Sequence, residues 1–125
     1  MRVQRFGPGY RRPERAGDSH GVSSALLHAA SGVRVNEIAL ADRAAFGPLR
    51  NSSDALLVVI EGGGWIAVAD ERQRVAAGES IEIPAGAERL LVTDGVPLRA
   101  IFIEFSFAPQ LRQAVMAAGM VQSHP

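Results

Sequence analysis

Residues 56–89 read LLVVIEGGGWIAVADERQRVAAGESIEIPAGAER. Apolar runs of strand length alternate there with glycine and polar turn signals, the pattern of consecutive antiparallel strands. Strands are predicted at 55–61, 65–69, 73–76 and 80–83. The turns between them fall at Gly62-Gly63-Gly64, Asp70-Glu71 and Ala77-Gly78, and Ala85-Gly86 follows the last strand.

The same punctuation continues outward. Upstream, 22–30 and 33–41 read as two strands joined at Ser31-Gly32, a pair suited to a tight turn. Residues 44–54 mix Gly47, Pro48, Asn51 and two serines and read as a loop. Downstream, strands are predicted at 89–93 and 98–107, joined at Asp94-Gly95. Many short strands at regular spacing indicate an all-β sandwich or barrel over 22–108. Beyond Pro109, Leu111, Ala114, Val115 and Ala118 have helical spacing, so 109–125 is predicted to be a short C-terminal helix and tail. Residues 1–21, rich in glycine, proline and arginine, show neither period and read as an extended, solvated arm.

A chain of 125 residues with 47% hydrophobic content is long enough for one packed core. The absence of cysteine excludes disulfides and thiolate chemistry. Thirteen basic residues, all arginine, balance thirteen acidic ones, leaving no net field to attract nucleic acid. The apolar run at 55–60 is too short to span a bilayer, and the first residues lack the apolar centre of a secretory signal. The expectation is a soluble cytoplasmic protein with neither membrane nor nucleic acid as partner. Residues 56–60 are apolar on both strand faces, and 100–107 nearly so, which suggests a second dry surface and a homodimer.

Gly78, five residues, Pro84, one residue, Gly86, two residues and Arg89 together resemble the second conserved motif of the cupin superfamily. Val59-Ile60-Glu61-Gly62 is similar to the end of the first. The resemblance covers roughly 33–107 and implies a cupin-type double-stranded β-helix, the jelly-roll barrel, which in this superfamily typically holds a metal. It also implies where the ligands would stand. The first-motif glutamate position falls on Ala55, its histidine positions on Asn51 and Leu49, and the second-motif histidine on Arg89. Thr93 stands where an asparagine often ends that motif. Leucine and alanine offer no donor, and arginine brings a permanent positive charge to the cation's place. No metal or other cofactor is expected.

Arg89 is the leading candidate site residue. Inside a barrel its guanidinium must be paired or hydrogen-bonded. One alternative is an internal ion pair with Glu82, Glu104 or Glu37. The other is an anchor for a carboxylate or phosphate, with Asn51 and Ser53 adding hydrogen bonds. His28, in a predicted strand, is a weak candidate for a general base facing the barrel. Three functions stay open: metal-free binding of a small, anionic molecule; a metal-independent isomerase or epimerase; and a non-catalytic structural dimer.

Overall fold

The computed structural model describes residues 1–106, and the predicted helix at 109–125 lies outside them. Eight strands occur among the described residues, in order: β1 (Arg12–Pro13), β2 (His20–Ala30), β3 (Val33–Arg50), β4 (Asp54–Val68), β5 (Glu71–Ala76), β6 (Ser80–Ile83), β7 (Glu88–Val92) and β8 (Leu98–Phe105). All pairings are antiparallel. No helix among the described residues is long and apolar enough to cross a membrane.

Two long strands, β3 and β4, shape the barrel. The first part of β3 pairs with β8 from Val33 to Leu40, and its last part pairs with β7 from Ala45 to Arg50. Likewise β4 pairs with β8 from Asp54 to Gly62, then with β5 and β7 from Gly63 to Val68. Each long strand therefore changes partner along its length, from β8 to β7, within one eight-stranded sheet. The alternation of strand side chains turns Ile38, Leu40, Leu57, Val59, Leu98, Ala100 and Phe102 into the core, all at most 3% exposed.

Two sequence expectations are corrected here. Residues 44–50 are strand rather than loop, because Ala44 and Phe46 are buried and the segment pairs with β7. Gly62-Gly63-Gly64 is not a hairpin turn but the middle of β4, where the strand changes partner from β8 to β5 and β7. Glycine is required there by close approach. A Cβ on Gly62, whose φ is +75°, would run into the Pro97 carbonyl oxygen, and one on Gly64 into that of Val92.

The N-terminal arm does not float. Its β1 pairs with Ser23 and Ser24, the Glu14 N–H donates to the Val22 carbonyl, and the Gly7 N–H and Arg11 guanidinium reach Glu37. That carboxylate, on the outer face of β3, is fully buried, with Arg99 on its other side. Hydrogen bonding to Arg11 and then the neighbouring charges hold its carboxyl below the usual glutamate range against the opposing effect of burial.

Candidate functional site

The inward faces of β2, β3, β7 and β8 enclose a cavity of about 300 Å³. Leu26, Ile38, Phe46, Leu49 and Phe102 give it apolar walls, and Arg12, Glu14 and Ala16 of the arm contribute to its lining. Arg89 enters from β7, opposite Leu49 in the β3 register, and is 5% exposed. Its Cζ lies 4.4 Å from the ring centroid of Phe46 and 4.7 Å from that of Phe102. These two rings meet edge to face, so the cation rests on two π faces.

The polar side of Arg89 is held through Asn51. Arg89 Nε donates to Asn51 Oδ1 at 3.0 Å, and Asn51 Nδ2 donates to Glu104 Oε2 at 2.7 Å. No described residue makes an ion pair with Arg89. Its two Nη groups donate to no described residue, yet no buried side-chain nitrogen among the described residues lacks a partner. The Nη groups therefore open to the cavity. Burial pushes the guanidinium pKa down, and the negative charges of Glu104 and Glu14 oppose that shift.

The anticipated partners separate. Glu82 is exposed, Glu37 serves the arm, and Glu104 is reached only through the Asn51 amide. Asn51 stands behind the wall, where it positions two groups that line the cavity. Ser53, two residues on in the same β3–β4 turn, is not among the lining residues.

His28 is a correction. Leu26 faces Asn36 across β2 and β3, but His28 faces Val35, so a register shift intervenes at Leu27. One extra residue turns every following side chain to the other face. His28 is accordingly exposed in a surface depression with Arg2 and Gln4, apart from Arg89. Sequence reasoning also passed over Phe46, Arg34 and Glu14 as lining residues. The alternation Ala100, Phe102, Glu104 in β8 was a legible sign of a shared inward face. Nothing local in the arm placed Glu14 at the cavity.

No protein-family model matches the sequence, and no curated protein does. Solved structures do match. The polyketide cyclase RemF from Streptomyces resistomycificus is 19% identical, with a TM-score of 0.75 over 87% of this chain and 82% of that one. A cupin 2 conserved barrel domain protein from Salinispora arenicola is 12% identical, with a TM-score of 0.74 over 93% and 98%. An RmlC-like cupin from Shewanella frigidimarina is 15% identical, with a TM-score of 0.70 over 89% and 96%. The chain has the cupin fold.

Within this cupin barrel the positions matched to metal ligands do not fit a divalent ion. Arg89 places a cation there, Leu49 opposite it is apolar, and Ala55 is fully buried without a donor. Among the described residues no three histidine, aspartate or glutamate side chains converge. Thr93, at the end of the second motif, has a structural part instead. Its Oγ1 accepts from the Ala44 N–H and donates to the Ala41 carbonyl, tying β7 to β3.

Proposed function

We propose that this cupin barrel binds a small organic anion directly through Arg89. The observation that carries the proposal is the state of the guanidinium: buried, fixed at Nε and resting on two mutually perpendicular rings, with its Nη groups open to the cavity. A guanidinium fork offers parallel donors to a carboxylate or phosphate. The apolar walls favour a ligand with a hydrocarbon body, and the 300 Å³ volume keeps it small. Arg34 and Arg12 also line the cavity, and with Arg89 they outnumber its two carboxylates, Glu14 and Glu104.

Calorimetric titration with benzoate and phenylacetate, set against benzamide and phenylacetamide, tests this. The carboxylates are expected to bind at least about tenfold more tightly than the amides, and Arg89→Met is expected to remove the difference. Equal affinity for acids and amides, or carboxylate binding that survives in Arg89→Met, contradicts the proposal.

We further propose that the protein acts as a cytoplasmic homodimer. Leu56, Val58 and Ile60 of β4 lie beside Ile101 and Ile103 of β8 on the outer face, where Ile60 is 39% exposed and the others are partly buried. A second copy covering this surface would remove it from water.

A further inference from the structure

The cavity contains a carboxylate that anion binding alone does not explain. Glu104 lines the same cavity as Arg89, and a negative charge beside an anion pocket weakens binding, a cost that a second role for the carboxylate would explain. It is not neutralised, because Glu104 makes no ion pair with a described residue, Arg34 opposite it on β3 included. Only Oε2 is engaged, by the Asn51 amide, whose oxygen holds Arg89 Nε. That amide keeps the two charges from collapsing into a pair, so the guanidinium fork and Glu104 Oε1 both stay available.

The other cavity carboxylate, Glu14, is committed. Its Oε1 accepts from the Ala16 N–H at 3.1 Å and its Oε2 from the Ser24 hydroxyl at 3.5 Å. No described histidine, lysine, tyrosine or cysteine lines the cavity. Among the described residues Glu104 is thus the one base free to act on a ligand held by Arg89.

We propose that the barrel catalyses metal-free proton transfer at the carbon next to a carbonyl, on small 2-oxo acids, with Glu104 as base and Arg89 as oxyanion holder. This rests on the anion-pocket reading above. The carboxylate and the 2-oxo oxygen of such an acid lie on one edge and match the two Nη donors. Glu104 Oε1 removes a proton from C3, the C–H electron pair becomes the C2–C3 double bond, and the carbonyl π pair moves to the 2-oxygen. The enolate oxygen is held by the guanidinium, which is preorganised by Phe46, Phe102 and Asn51. Return of the proton from the Glu104 carboxylic acid to C3 regenerates the 2-oxo acid and the carboxylate, so the step conserves atoms and electrons.

The test is solvent-deuterium incorporation at C3 of pyruvate, 2-oxobutyrate and phenylpyruvate in D2O, followed by proton NMR, with binding read separately by saturation transfer. The wild type is expected to accelerate exchange of at least one acid by about 100-fold or more over buffer. Glu104→Gln should return exchange to background while still binding, Glu104→Asp should retain part of it, and Arg89→Met should lose binding and exchange together. Binding by the wild type without exchange, or full exchange in Glu104→Gln, overturns the catalytic inference and leaves the anion pocket standing. Failure of all three acids to bind overturns both.

Discussion

Burying a cation without a counterion costs stability, and the protein meets that cost at Arg89 with one hydrogen bond, two aromatic faces and the more distant fields of Glu104 and Glu14. A residue kept for stability alone would be better replaced by an apolar side chain of similar length. Arg89→Met is therefore expected to change the unfolding free energy by no more than about 1 kcal/mol in either direction, measured by urea denaturation, while abolishing carboxylate binding. Destabilisation well beyond that would mark Arg89 as structural. The sequence made Arg89 legible because the glycine and proline spacing before it aligned it with a known inward position. It could not show that Asn51 would spend both amide ends on positioning, since this depends on Glu104, which lies far along the chain.

At the scale of elements, β2 and β4 show where one-dimensional reading stops. The predicted strand at 22–30 is present as part of β2, yet a single register shift at Leu27 reverses the side on which His28 emerges. Alternation within one strand cannot reveal a bulge that only the partner strand defines. The triple glycine reads as a turn on local grounds, whereas its use is to let β4 pass against the Pro97 and Val92 carbonyls. Gly62→Ala is expected to lower stability by about 2 kcal/mol or more, through both its left-handed φ and the backbone contact. Chemical denaturation checks this, and a loss within error would mean that the close approach relaxes freely. The arm carries its own prediction. Glu37→Gln leaves Arg11 and Arg99 facing a neutral group in a fully buried position, and should cost about 2–3 kcal/mol and make residues 1–11 the earliest site of proteolysis.

For the whole molecule, the Glu37 cluster sets a pH dependence. Its carboxyl is held below the ordinary glutamate value, chiefly by the Arg11 hydrogen bond. The unfolded chain therefore takes up that proton first as pH falls. The stabilisation is fully present above about pH 5 and is lost as pH drops from about 4.3, the unfolded value, through the lower folded one. Urea midpoints at pH 7 and pH 3 should differ more for the wild type than for Glu37→Gln, and equal differences would remove Glu37 as the cause. The outer face gives a second test at this scale. Val58→Glu should turn a dimer into a monomer in light scattering, and an unchanged mass would place any interface elsewhere.

NMR of the protein with 15N-labelled arginine during titration with benzoate tests whether Arg89 is fixed at Nε yet free at its Nη groups for a ligand anion. The expected result is a protected Arg89 Nε–H signal that hardly moves while its Nη signals shift and slow their rotation as benzoate saturates. Nη signals that are already immobile without benzoate, or that stay unchanged at saturation, would contradict it.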